Sequence, residues 1–217
     1  MIKAVIFDLD GLLVDTEILH SQAYEAILKE YKKKPKLNDY GIVQISGLIA
    51  RKNWQYLKKK HNLKEDVEIL LEKKRHLFLK IIKKIKKPKN GVKNLLNLLK
   101  EEKIKMALAS SSTKEYILAI LDNIKLRNYF DEIVSFEEVP KEKPAPDIYL
   151  EVAKRLGVEP SSCLVLEDSE SGVKSGRNAG MKVIAVPTKF TKNQDLSRAD
   201  LIVNSLKDIK WSTLIKL

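Results

Sequence analysis

Apolar and polar positions alternate between two periods along the chain. Short β-rich runs lie at Lys3–Asp8, Lys105–Ser110, Glu132–Ser135, Cys163–Glu167, Met181–Ala185 and Leu201–Val203. Between the later runs, apolar residues recur at spacings of three and four, which predicts helices near Gly91–Glu102, Thr113–Ile124, Asp147–Leu156 and Ser169–Ala179. Strands alternating with helices imply right-handed βαβ crossovers and a parallel sheet covered on both faces. One stretch departs from this rhythm. Residues 16–86 contain no β-rich run in this reading, but three helical stretches, Thr16–Tyr31, Arg51–His61 and Glu65–Lys86. The expected fold is therefore α/β, a Rossmann-like parallel sheet with a small α-helical cap domain inserted after the first strand. The core comprises 1–15 and 87–217, the cap 16–86, with hinges at Val14–Thr16 and at Lys86–Gly91, where Pro88 and Gly91 break the helical pattern.

Charge sharpens this division. The 217 residues carry a formal net charge of +12, and residues 16–86 hold 18 Lys and Arg against 8 Asp and Glu, so +10 of it sits in the helical insert. Such a balance suits nucleic acid, an anionic surface or a small anionic substrate. The lysine-rich helices lack interleaved aromatics and no nucleic-acid motif is visible, so no nucleic-acid partner is expected. Nowhere do eighteen apolar residues run together, so no membrane partner is expected either. The single cysteine, Cys163, excludes an intramolecular disulfide framework and points to a reducing, cytoplasmic setting.

In an open parallel sheet ligands gather beyond the carboxyl ends of the strands, and four of those ends are chemically loaded. Asp8 and Asp10 in Phe7-Asp8-Leu9-Asp10-Gly11 lie two apart, on one side of extended chain. Ser110, Ser111 and Ser112 run into a predicted helix start, where hydroxyls, free N–H groups and the positive end of the helix suit a phosphate; simple helix capping is the alternative. Lys143 precedes Pro144-Ala145-Pro146-Asp147, a stiffened loop in which Asp147 can cap the next helix. Glu167 and Asp168 close a strongly apolar strand. Carboxylates crowded into one crevice repel unless a cation sits among them, and an oxygen-rich set favours Mg²⁺. Neither G-x-G-x-x-G after the first strand nor G-x-x-x-x-G-K-[ST] occurs, which removes the dinucleotide and P-loop readings.

Taken in order, Asp8-Leu9-Asp10-Gly11 with Asp15-Thr16-Glu17, then Ser110, then Lys143-Pro144, then Glu167-Asp168-Ser169 with Gly172 resemble the haloacid dehalogenase superfamily, in its beta-phosphoglucomutase-like branch of phosphatases and phosphomutases. The resemblance implies that Asp8 is the nucleophile and Asp10 the general acid/base. It implies that Mg²⁺ is held by the Asp8 carboxylate, the Asp10 carbonyl and Asp168, with Glu167 as ligand or close support. It implies that Ser110, Ser111, Ser112 and Lys143 cradle the phosphoryl group of a small phosphorylated substrate, in a protein expected to be monomeric. Within the cap, Thr16, His20 and Lys74 match positions that the mutases use, His20 standing between a functional residue and a helix-surface one. Gly47 is followed by Ala50 where an arginine is expected, with Arg51 one place later. Trp54 and Trp211 read as packing residues, His61 and His76 as surface residues, and Gly172, Gly176 and Gly180 as sites of close packing.

Overall fold

The computed structural model describes residues 1–33 and 47–217, with side chains outside 34–49; the 34–46 part of the predicted cap lies outside the described residues. Six parallel strands form one sheet: β1 (Ala4–Phe7), β2 (Lys105–Ser110), β3 (Glu132–Ser135), β4 (Cys163–Glu167), β5 (Lys182–Ala185) and β6 (Leu201–Ile202), in the order β3-β2-β1-β4-β5-β6. The chain moves outward on one side of β1 and then on the other. The order therefore reverses at β1, and β1 pairs with both β2 and β4, opening a crevice at their carboxyl ends.

The period-two alternation sends side chains to two separate cores. Val5 and Phe7 of β1, Met106 and Leu108 of β2, and Leu164 and Leu166 of β4 pack with α4 (Val92–Glu101) and α5 (Lys114–Ile124) on one face. Ala4, Ile6, Ala107, Ala109, Cys163 and Val165 face α6 (Asp147–Leu156) and α7 (Glu170–Asn178) on the other. Burial on both faces is why these strands read as nearly continuous apolar runs. Chain-terminal α8 (Trp211–Leu214) closes the first core, with Trp211 packed against it.

Between β1 and α4 lie α1 (Glu17–Glu30), α2 (Gly47–His61) and α3 (Val67–Ile82). Tyr24, Ile27, Leu28, Trp54, Leu57, Leu63 and Leu70 give these helices a core of their own, and Trp54 is fully buried there. Ala23, Phe78, Ile81 and Ile82 join the sheet's first core instead, so the insert is fastened to the sheet domain along α3. A contact from Arg75 to Glu115 of α5 at 2.7 Å and a bond from Asn123 Nδ2 to the Ile82 carbonyl at 3.1 Å run across the same seam.

Several local expectations are corrected. The third insert helix ends at Ile82, not Lys86, since the chain must leave the helical region before Pro88. Asp147 is the first residue of α6, with Pro146 in the capping position and no side-chain cap. Gly172 and Gly176 do mark close approach, but a Cβ on Gly180 would meet nothing within 4 Å; its φ of +76° makes it a turn residue after α7. No helix among the described residues is long and apolar enough to cross a membrane.

Candidate active site

Asp8 is fixed by the last rung of the β1–β4 ladder, its N–H donating to the Leu166 carbonyl at 3.0 Å. Lys143, which precedes a cis Lys143–Pro144 bond, reaches over from the loop before α6. Its ammonium donates to Asp8 Oδ1 at 2.8 Å, Glu167 Oε1 at 2.6 Å and the Ala109 carbonyl at 3.1 Å, so all three of its donors have partners. Glu167 is equally saturated. Tyr149 donates its hydroxyl to Oε1 at 2.7 Å, while Oε2 accepts from the N–H groups of Asp168 and Ser169 and from the Ser169 hydroxyl. Gly172 makes room for this carboxylate, because a Cβ there would stand 1.9 Å from its carbon.

Asp10 sits in a different cage, made of hydroxyls. Thr16 Oγ1 donates to Oδ1 at 2.5 Å, and Ser110 and Ser112 donate to Oδ2 at 3.1 and 2.9 Å. Thr16 occupies the N-cap of α1 without capping it, its hydroxyl being committed to Asp10. Helix capping falls to Thr113, which accepts from the Tyr116 N–H, leaving Ser110 and Ser112 for the crevice. The Ser112 N–H, read above as free, donates to Ser110 Oγ at 3.0 Å. Ser111 is half-buried between them. Asp168, at the end of β4, lies over Gly11, whose φ of +83° carries the chain around a tight turn; a Cβ there would lie 2.2 Å from Asp168 Oδ2.

Oxygen atoms of Asp8, Glu167 and Asp168 all lie within 4.8 Å of one another. Among the described residues, Lys143 is hydrogen-bonded to two of these three buried carboxylates and Lys89 acts on Asp168 through its charge alone. Burial holds Asp8 well above the usual carboxylate range despite the attraction of Lys143, and burial with Glu167 and Asp8 does the same to Asp168. For Lys143, burial opposes the charge, but Asp8 and Glu167 outweigh it and keep the ammonium protonated. The cluster therefore lacks positive charge, and its all-oxygen donor set fits a hard divalent cation. The side chain of Asp10 stands outside this cluster. Burial raises its pKa against the pull of its three hydroxyl donors, so the group holds a proton more readily than a free carboxyl.

Across the crevice the insert presents Thr16, His20 and Lys74. His20 is 1% exposed, so the helix-surface alternative fails; its ring stacks on Phe78 at 3.8 Å and neither nitrogen has a hydrogen-bond partner among the described residues. Burial, then the charge of Lys74, keeps this imidazole neutral by pushing its pKa well down. Lys74 is buried with its ammonium over the rings of Tyr24 and Phe78, at 4.8 and 5.7 Å from their centres; burial lowers it to about 8, partly countered by Asp10. Arg51 is not brought to the site. It lies exposed on α2 and holds Glu68 through both guanidinium nitrogens. His76 is exposed as expected, paired with Glu72, and His61 is half-buried.

Three contributors carry no assigned role in the sequence reading. Tyr149 lies inside α6, where nothing in the pattern separates it from a packing residue. Thr191 Oγ1 lies 3.5 Å from Asp168 Oδ2, in the loop after β5, and the strand-end rule applied to a fifth strand would have flagged it. Glu17 stands in the sequence only as the end of the Asp15-Thr16-Glu17 motif, yet burial, with Asp10 and Asp15 nearby, raises it to about 7.

Comparison with known proteins fits this geometry. The family profile described as haloacid dehalogenase-like hydrolase matches residues 5–186. The chain is 35% identical over 182 residues to the phosphorylated carbohydrates phosphatase of Thermotoga maritima, covering 84% of this chain and 83% of that one. It is 30% identical over 223 residues to hexitol phosphatase B of Escherichia coli, covering 99% and 97%. Among solved structures, beta-phosphoglucomutase from Clostridium difficile superposes with a TM-score of 0.83 at 25% identity, covering 100% of this chain and 96% of that one.

Proposed function

Because the chain belongs to the haloacid dehalogenase-like hydrolase family, in its beta-phosphoglucomutase-like phosphatase branch, we propose that it is a Mg²⁺-dependent phosphatase. Its substrate in this reading is a small phosphorylated metabolite, a sugar phosphate, and turnover passes through an aspartyl-phosphate on Asp8. The observation that carries this reading is the pairing of two unlike aspartates two residues apart. Asp8 stands beside a cationic lysine and two further carboxylates, while Asp10 is caged by hydroxyls and held ready to give up a proton.

Mg²⁺ would be held by Asp8, Asp168 and the Asp10 carbonyl, and supplies positive charge that lets two anions approach and spreads the charge of the transition state. Glu167, whose oxygens are already engaged, would orient Lys143. In the first half-reaction an Asp8 oxygen attacks phosphorus, the ester P–O bond breaks, and Asp10 passes its proton to the departing alcohol oxygen. Asp10, now a carboxylate, takes a proton from water as that water attacks the acyl phosphate, releasing inorganic phosphate and restoring Asp8. Lys143 and the Ser111 N–H would cradle the phosphoryl oxygens. Ser110 and Ser112 would exchange Asp10 for those oxygens by rotating their hydroxyls.

Residues 16–86 would form the cap, hinged at both connections to a core of 1–15 and 87–217, and would bring Thr16, His20 and Lys74 to the alcohol portion of the substrate. We take the working protein to be a cytoplasmic monomer. A second reading, a beta-phosphoglucomutase-type phosphomutase, is favoured by Thr16 and His20 at the insert's hinge. The discriminating experiment incubates the protein with a panel of sugar phosphates and Mg²⁺ while following inorganic phosphate and isomerised product together. Stoichiometric phosphate supports the phosphatase, isomer without phosphate supports the mutase, and neither product from any ester rejects both.

A further inference from the structure

The insert places a carboxylate with one unpartnered oxygen beside the crevice. Among the described residues Glu17 Oε2 is buried without a hydrogen-bond partner and Glu17 forms no ion pair, although its own backbone N–H and the charge of Lys89 favour the ionised form. The nearby Lys89 donates instead to the Gly11 carbonyl and pairs with Asp15 at 3.4 Å. Glu17 Oε1 leans over Gly11, 2.9 Å from where a Cβ would stand, beside Asp168 Oδ2 at 2.2 Å from the same point. Glu17 and Asp168 thus converge at the edge of the acidic cluster. Burying an acceptor with no donor is costly enough that such groups in folded proteins call for a reason. One turn along the same face of α1 is His20, with both nitrogens unpartnered among the described residues, and near it is Lys74, whose buried ammonium lies over the Tyr24 and Phe78 rings.

We propose that Glu17 is a specificity-determining residue that accepts a hydrogen bond from a hydroxyl of the substrate's alcohol, so that the site selects phosphorylated polyols over esters of bare alkyl chains. This rests on the phosphatase reading above. The two groups with unpartnered atoms are an acceptor and a neutral ring with one donor and one acceptor. A hydroxyl gives and accepts at once, so a chain of hydroxyls satisfies both and offers the Lys74 ammonium an acceptor, whereas an alkyl chain leaves both unpaired.

The test compares sorbitol 6-phosphate with n-hexyl phosphate, two six-carbon monoesters with and without hydroxyls, at saturating Mg²⁺, by inorganic phosphate release. The wild type should prefer the hexitol ester, and Glu17→Ala should reduce that preference in kcat/KM by about tenfold or more. Glu17→Gln, which keeps a carbonyl acceptor, should retain part of it, with Tm measured to establish that both variants fold. Equal losses on the two esters, an unchanged preference, or a loss that tracks a raised Mg²⁺ half-saturation would overturn the assignment, the last by giving Glu17 to the metal. Absence of phosphate release from both esters by the wild type would overturn the phosphatase reading itself.

Discussion

The two walls of the crevice are built on opposite rules. On the sheet side, Lys143 uses all its donors, both Glu167 oxygens are engaged, and Asp10 accepts from the Ser110 and Ser112 hydroxyls and, from the insert, that of Thr16. On the insert side, His20 and Glu17 carry buried polar atoms without partners, and Lys74 sits over aromatic rings. The difference separates two tasks. Groups that perform the same chemical step on any substrate are held rigidly before it arrives. Groups that recognise a substrate wait for it to supply their hydrogen bonds, and until then they lower the stability of the fold.

The largest effect should come from the saturated wall. Asp8→Asn should lower kcat by about a thousandfold or more, because an amide cannot serve as the nucleophile, and residual activity near wild type would remove Asp8 from the chemistry. A middle-sized effect should follow from Gly172→Ala. Its methyl would press on a Glu167 carboxylate that is held from every side, costing about 1–3 kcal/mol and lowering Tm, with a raised Mg²⁺ half-saturation as Lys143 shifts. A variant with wild-type Tm would show that the saturated wall is looser than its bonding implies.

The smallest effect, and one of opposite sign, should come from the waiting wall. Lys74 is lowered to about 8 in the folded protein from 10.5, so the unfolded chain binds more protons between those values and stability rises with pH across that window. Lys74→Met should therefore raise Tm by a few degrees at pH 7, with the advantage closing as pH passes from about 8 to 10.5, while kcat/KM on sugar phosphates falls. A destabilised Lys74→Met would mean that the ammonium is well satisfied where it is and that the contrast between the walls is false.

These contrasts explain what the sequence could disclose. Strand ends are legible because burial on both faces leaves an apolar run whose first polar residue must mark the crevice, as with Asp8 after Ala4-Val5-Ile6-Phe7 and Glu167 after Leu164-Val165-Leu166. The insert follows no such rule. His20 is buried because α1 is packed on two sides, with Tyr24, Ile27 and Leu28 in the insert's own core and Ala23 in the sheet's, so its periodicity marks no single inner face. Glu17 becomes interior only through Gly11, 6 residues earlier, and Tyr149 only through the loop that carries Lys143. Both depend on contacts between elements, which spacing along one element does not encode.

The claim on which the rest depends is that the phosphoryl group rests on Asp8 between its two transfers. Rapid quenching of wild-type protein with ³²P-labelled sugar phosphate and Mg²⁺, followed by peptide mapping, tests it directly. The account predicts a label that hydroxylamine removes, confined to the peptide containing Asp8, formed and discharged at least as fast as turnover and missing from Asp8→Asn. Steady phosphate release with no label at any quench time, or a label on another residue, would contradict it.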